Sequence, residues 1–167
     1  LHMAVSIQDR GIDFAHAVYV VSIFAATSAI LVFPAGLLME RMKVRTGIMM
    51  VGLSFFVCVL VLMRAATFPI AVLFGIIFGA TSELWTVTQR LIFPDYFGRR
   101  HVGSIRGFTE PFMGVIAPLG PLLAGILRDA TGNYDLIFSI FAGVFLLMFS
   151  AIYLGRPPKL KTPHAAG

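Results

Sequence analysis

The sequence predicts an all-α fold, a polytopic transmembrane bundle of about five helices. Three observations point there. Mean hydropathy is +0.90, with 58% hydrophobic and 13% charged residues, which is more apolar than a water-soluble domain of 167 residues. Five runs of 17 to 26 residues contain no Asp, Glu, Lys or Arg. The basic residues gather in alternate gaps between those runs. A helix needs about 20 residues to cross the hydrocarbon layer, and the runs are continuous rather than alternating, so helices are favoured over barrel strands.

Taken in order, residues 1–13 read as the end of a preceding helix and an external loop. Residues 14–155 read as the transmembrane domain, and 156–167 as a cytoplasmic tail. No signal peptide is expected, because Leu1 to Ser6 lack a basic region, an apolar core and a cleavage site. Helices are expected near 14–39, 46–66, 69–93, 107–128 and 134–155. The first run, Phe14 to Met39, has 26 residues and only His16, Tyr19, Ser22, Thr27 and Ser28 as polar groups. His16, at its outer end, reads as a solvated interfacial histidine. The second run has no ionisable group and reads as a packing helix. It holds the single cysteine, Cys58, which excludes an intramolecular disulfide. The third is the most polar. In the loop that follows it, Pro94 is expected to end a helix, and Gly103 and Gly107 open the next one with little bulk. The fourth carries Pro111, Pro118 and Pro121 and should bend, since each proline removes a backbone donor. In the last, Tyr134 and Tyr153 near the ends read as interfacial anchors.

Charge sets the expected orientation. Arg41, Lys43, Arg45, Arg99, Arg100, Arg106, Arg156, Lys159 and Lys161 fall on one side, against Arg10, Arg64 and Arg128 on the other, nine bases against three. By the positive-inside bias the first set is cytoplasmic, with the N-terminus outside and the C-terminus inside. An external start without an export signal reads as a fragment from which an upstream span has been cut. The net charge of +5 lies in these short loops, where it orients spans in the lipid bilayer, so no nucleic-acid partner is expected. No phosphate-binding Gly-x-x-x-x-Gly-Lys motif, nucleophile triad or histidine cluster is present. The expectation is therefore no metal, no cofactor and no enzyme.

Binding chemistry is expected on the third span. Gly75, Gly79, Ser82, Glu83, Thr86 and Arg90 recur at steps of three or four, with one adjacent pair, and so share one face. An ionisable residue within a span costs a few kcal/mol unless it faces a cavity or a partner. Glu83, about halfway along, is the first candidate for a substrate or proton site, with Thr86 and Arg90 beside it. Glycines and small polar residues at this spacing also serve close helix packing, and Arg90 is near enough to the cytoplasm to snorkel. On the fourth span Glu110 is the next candidate, although Arg106 at i−4 is placed to pair with it. Gly114, Pro118, Gly120 and Pro121 mark that span as a candidate gating helix.

Three local patterns resemble the major facilitator superfamily of secondary transporters. The stretch from Gly36 to Arg45, between the first two runs, is similar to the family's loop motif Gly-x-x-x-Asp-Arg-x-Gly-Arg-[Arg/Lys]. Gly36, Arg41 and Arg45 match and Glu40 replaces the aspartate, whereas Lys43 and Val44 depart from the pattern. Tyr96-Phe-Gly-Arg-Arg100, followed by Gly103 and Gly107, resembles the loop between helices ten and eleven of bacterial members. Gly120-Pro121 with Gly125 resembles a Gly-Pro element of helix eleven. The resemblance implies a C-terminal half beginning after helix seven, with the five spans as helices eight to twelve. The missing N-terminal half would be a partner, in what is expected to be a bacterial inner (plasma) membrane. It also implies that Gly36, Glu40, Arg41 and Arg45 form a cytoplasmic gate motif. In monocarboxylate-transporter-like members, charged residues on helix eight help to bind substrate, and the matching positions here are Ser28 and Val32.

The function expected from these readings is part of a secondary active transporter that moves a small, unidentified solute by alternating access. The alternative is a non-transporting membrane assembly subunit or a membrane-embedded enzyme. An enzyme would need converging His, Asp or Glu groups, and only Glu83 and Glu110 lie within spans.

Overall fold

The protein is described by a computed structural model at residues 7–8, 12–132 and 134–155. Arg10, Arg156, Lys159, Lys161 and the tail that begins at 156 lie outside the described residues. Among the described residues the secondary structure is helical throughout. The helices are α1 (Phe14–Glu40), α2 (Val44–Met63), α3 (Phe68–Phe97), α4 (Val102–Ile116), α5 (Leu119–Thr131) and α6 (Asp135–Leu154), with a 3-10 turn at Arg99–His101. α4 and α5 together make one membrane-length span, so the described residues hold five. The chain is an all-α integral membrane bundle.

Local chemistry explains the boundaries. Asp13 starts α1 by accepting the Ala15 N–H on its carboxylate at 3.3 Å, a side-chain N-cap. Proline at the first turn of α3 lacks a donor that the helix would leave unused there. That helix does not stop at Pro94, as the sequence alone implies. Pro94 lies inside it, because its missing N–H removes one bond while the Gly98 N–H closes a further turn on the Pro94 carbonyl at 3.1 Å. The turn ends at Gly98, whose φ of 75° favours glycine. At the other end of the bundle Gly132 (φ 77°) caps α5 in the left-handed region, its N–H on the Arg128 carbonyl at 2.7 Å.

The fourth span differs from the single bent helix expected over 107–128. It begins at Val102 and divides at Ala117–Pro118. Pro118 has no N–H for the Gly114 carbonyl, and Pro121 has none for Ala117. α4 therefore closes with Ala117 N–H on Met113 O at 2.8 Å, and Leu122 N–H on Pro118 O at 3.1 Å opens α5.

α3 is central. α1 and α2 pack against it, and α6 packs against α2. In lipid, apolar surface gives little drive for helices to associate, so close backbone approach matters more. α1 meets α3 at glycine: a Cβ on Gly79 would stand 2.8 Å from the Phe24 carbonyl oxygen, and one on Gly75 would stand 3.0 Å from that of Val20. Ser28 Oγ donates to the Gly79 carbonyl at 3.3 Å across the same contact. Phe78 stacks on Phe24 and Phe74 at 5.1 and 5.4 Å, and Phe55 of α2 stacks on Phe145 of α6 at 5.1 Å. Cys58 is buried with its Sγ 3.5 Å from Thr81 Oγ1, a packing position. Tyr134 is also buried, stacked on Phe138 beneath the Arg128 guanidinium, so packing replaces the interfacial role expected for it. Tyr153 is exposed. α4 has no buried residue and α5 only Ala124, which leaves the divided span the least embedded part of the bundle.

The α1–α2 and α3–α4 connections lie at one end, and the α2–α3 and α5–α6 connections at the other, as successive antiparallel spans require. Arg41, Lys43, Arg45, Arg100 and Arg106 accordingly share one end, away from Arg64 and Arg128.

Candidate functional site: a charged cleft between α3 and the divided span

The shallow packing of α4 leaves a cleft of about 1230 Å³ between it and α3. Steps of three and four on α3 bring Thr86, Gln89, Arg90 and Phe93 to its wall, with Trp85 alongside. The same spacing on α4 contributes Arg106, Thr109, Glu110 and Met113, joined by Phe112 and Ile116, and Phe145 of α6 also lines it. The lining is mainly apolar and aromatic, with three ionisable side chains set into it. Thr86 and Thr109 donate back to the carbonyls of Ser82 and Ile105, each at 2.9 Å, so their hydroxyls are satisfied as donors and keep acceptor capacity.

Of the sequence candidates, Thr86, Arg90 and Glu110 meet in this cleft. Glu83 is half-buried one turn further along α3 and is not among the lining residues. The polar face of α3 is divided between two tasks: Gly75 and Gly79 admit α1, while Thr86 and Arg90 face the cleft. Arg106 and Glu110 form no ion pair; the base precedes the acid in this i, i+4 pair, which is the weaker order, and both line the cleft. Arg90 also lies at the cleft rather than solely at a lipid interface. By helical rise it stands about 10 Å from the α3 terminus at Phe97.

The break between α4 and α5 adjoins the cleft at Ile116 and Ala117. Pro118 caps the new helix, Pro121 sits in its first turn, and a Cβ on Gly114 or Gly120 would meet nothing within 4 Å. The joint therefore combines two prolines that lack backbone donors with two glycines that have open space beside them.

The loop motif separates into parts with different surroundings. Gly36 has open space beside it, and Glu40 and Arg41 are exposed. Glu40 edges a crevice of about 330 Å³ together with Asp95. Arg45 does something the sequence did not reveal. Its guanidinium donates to the carbonyls of Ile152, Tyr153 and Gly155 at 2.9, 2.9 and 2.6 Å, capping the C-terminal turn of α6. Trp85, Phe112 and Phe145 were also passed over by sequence reasoning. A lone tryptophan next to Thr86, and Phe108 with Phe112 at i, i+4, are signals that could have found the first two, while Phe145 carried none.

Comparison with known proteins adds a further line of observation. A family model described as Major Facilitator Superfamily matches residues 3–167. Among curated proteins, Monocarboxylate transporter 13 of Rattus norvegicus is 33% identical over 98 residues, covering 55% of this chain and 23% of that protein. Monocarboxylate transporter 2 of the same species is 28% identical over 155 residues, covering 88% of this chain and 30% of its own length. Monocarboxylate transporter 13 of Bos taurus is 32% identical over 80 residues, 48% of this chain and 18% of that protein. The chain thus spans less than a third of the length of these curated relatives, which are transporters and not enzymes. No solved structure matches the chain.

Proposed function

The chain belongs to the major facilitator superfamily, and on that premise we propose that it forms part of a secondary active transporter moving a small solute by alternating access. The carrying observation is the cleft between α3 and α4, where Arg90, Arg106 and Glu110 stand in an apolar and aromatic wall. Charged groups on a membrane-length helix are costly against hydrocarbon and useful beside a water-filled path, and Arg106 stands at the end of the cleft nearest the α3–α4 connection. In this reading α1, α2, α3, α4–α5 and α6 are helices eight to twelve. The cleft is one wall of the translocation cavity, and the N-terminal half of the same transporter supplies the facing wall. The terminus that follows α6 is cytoplasmic, at the end rich in Arg41, Lys43, Arg45 and Arg100.

The joint at Gly114, Pro118, Gly120 and Pro121 gives the wall a place to flex, because two missing backbone donors leave α4 and α5 only loosely coupled. Gly36, Glu40, Arg41 and Arg45 form the cytoplasmic gate motif, and the Arg45 cap ties the α1–α2 connection to the end of α6. Glu83, one turn beyond the cleft, is the deeper protonatable group on the same face. The relatives' names do not fix the solute. Ser28 is engaged in the α1–α3 contact and Val32 carries no charge, so neither position offers an ionic group to a substrate.

The test is flux. The complete reading frame, reconstituted in sealed vesicles, is expected to accumulate a solute from a panel of small labelled metabolites when a proton or sodium gradient is imposed, and to stop when an ionophore removes it. Gradient-independent leakage, or no uptake across a broad panel by protein shown to be folded, would count against the proposal.

A further inference from the structure

We infer that the cleft between α3 and α4 is a binding site for one anionic phospholipid of the adjoining leaflet, its phosphate on Arg90 and Arg106 and an acyl chain on the apolar wall beyond them. The inference goes beyond the transporter reading and takes from it only the orientation, in which the end bearing Arg41, Lys43, Arg45 and Arg100 is cytoplasmic. It rests on how the lining is graded along the helices. Counted by helical rise from the ends at Phe97 and Val102, Arg90 lies about 10 Å and Arg106 about 6 Å inside the bundle, so the two bases come from facing helices at similar depth. Beyond them the wall is made by Trp85, Phe112, Ile116 and Phe145. From Arg106 to Ala117, where α4 closes, it runs about 16 Å, close to half of the hydrocarbon layer's thickness of about 30 Å. A cationic head end above an apolar strip one leaflet deep matches the shape of a lipid.

Charge and openness point the same way. No ion pair or side-chain hydrogen bond engages either guanidinium among the described residues, and Glu110 is the single acid in the lining, so two positive charges stand against one negative. The planar fork of a guanidinium donates in pairs to phosphate oxygens, and basic pockets between membrane helices hold anionic headgroups. Thr86 and Thr109 spend their hydroxyl hydrogens on carbonyls of their own helices, so neither offers a donor to a polar ligand further in. α4 has no buried residue, and Phe112, Met113 and Ile116 are each more than half exposed along the opening. In a bilayer such a groove fills with hydrocarbon, because water against this wall is unfavourable and a void forfeits dispersion contacts. The lipid belongs to the arrangement in which α4 stands off α3. Closure of α4 on α3 about the joint at Ala117–Pro118 expels it, so lipid binding and closure compete.

The experiment uses the complete reading frame in phosphatidylcholine vesicles that carry a minor, varied fraction of lipid brominated in its acyl chains, either phosphatidylglycerol or phosphatidylcholine. Bromine quenches indole fluorescence near contact, and Trp85 lines the cleft, its signal being taken as the difference between the protein and its Trp85→Phe variant. Brominated phosphatidylglycerol is expected to reach half-maximal quenching at about a fifth of the fraction that phosphatidylcholine needs, the ratio given by one cationic side chain near an anionic headgroup. Arg90→Gln and Arg106→Gln should each bring that fraction toward the phosphatidylcholine value, with Arg90→Lys and Arg106→Lys, which keep the charge and lose the fork, in between. Arg100→Gln, exposed at the same end and outside the lining, should leave it unchanged. Equal quenching by the two lipids, an equal loss with Arg100→Gln, or a Trp85 that neither brominated lipid reaches would overturn the assignment. Relief of quenching by inorganic phosphate would make the cleft a site for a free anion and would overturn it too. Where a glutamine variant fails to fold, the comparison of the two lipids and the phosphate competition on the unaltered protein decide. No flux is read, so the result stands apart from the transporter reading.

Discussion

Replacing Gly79 with alanine probes the contact on which the bundle is built. The added Cβ would stand 2.8 Å from the Phe24 carbonyl oxygen and 2.9 Å from Thr27 Cβ. The first obstacle is backbone and cannot turn aside, so α1 and α3 must separate. Overpacking of this kind costs about 1–3 kcal/mol. Separation also stretches the Ser28 Oγ bond to the Gly79 carbonyl, already 3.3 Å, which is worth about 0.5–1.5 kcal/mol when well formed. Alanine returns about 0.8–1.0 kcal/mol of helix propensity. The balance is a net loss of about 0.5–3.5 kcal/mol. Gly114→Ala is the matched control, because its Cβ meets nothing within 4 Å and only the propensity gain applies. Cys58, buried beside Thr81, supplies the assay, since a thiol-reactive fluorophore reports its unmasking on heating. Gly79→Ala should expose Cys58 at a temperature several degrees below wild type, and Gly114→Ala at or above it. Equal unmasking temperatures for the two variants would refute the close-approach argument.

Other outcomes follow from the same geometry. Arg45→Gln should free the last carbonyls of α6, weakening that turn by about 1–3 kcal/mol, visible as faster amide hydrogen exchange near Tyr153, whereas Arg45→Lys should restore only part of the protection. Pro118→Ala should let α4 run on toward α5 and slow solute uptake by the complete protein without lowering its thermal stability; unchanged uptake would remove the joint from the gating account. Thr81→Val should cost about 1 kcal/mol or less, because its buried hydroxyl bonds chiefly to the carbonyl of Ile77 in its own helix, and Cys58 should become no more reactive below the unfolding transition.

How much of this was legible in the sequence varies with the range of the interaction. The all-α class and five spans follow from uninterrupted apolar runs, a signal carried by every residue in them. The polar face of α3 was also legible, because Gly75, Gly79, Thr86 and Arg90 repeat at helical spacing. The sequence does not say what faces each part of it. α1 covers the glycines and leaves Thr86 and Arg90 to the cleft, a division set by how α1 crosses α3. Prolines in the fourth span announced a bend, but whether two missing donors yield a curve or a break depends on neighbours, and α4–α5 has few. Pro94 misled for the opposite reason, since the surrounding helix tolerated one lost bond. Arg45 capping α6 joins residues more than a hundred positions apart, and local patterning carries no trace of it.

The central claim is that the wall between α3 and α4 belongs to a cavity reached alternately from each side of the membrane. Side-resolved labelling at Gln89→Cys in the complete protein tests it without knowledge of the solute. Impermeant maleimide added to right-side-out vesicles and to inside-out vesicles should modify position 89 in both. Modification from one side only, or from neither, would contradict the account.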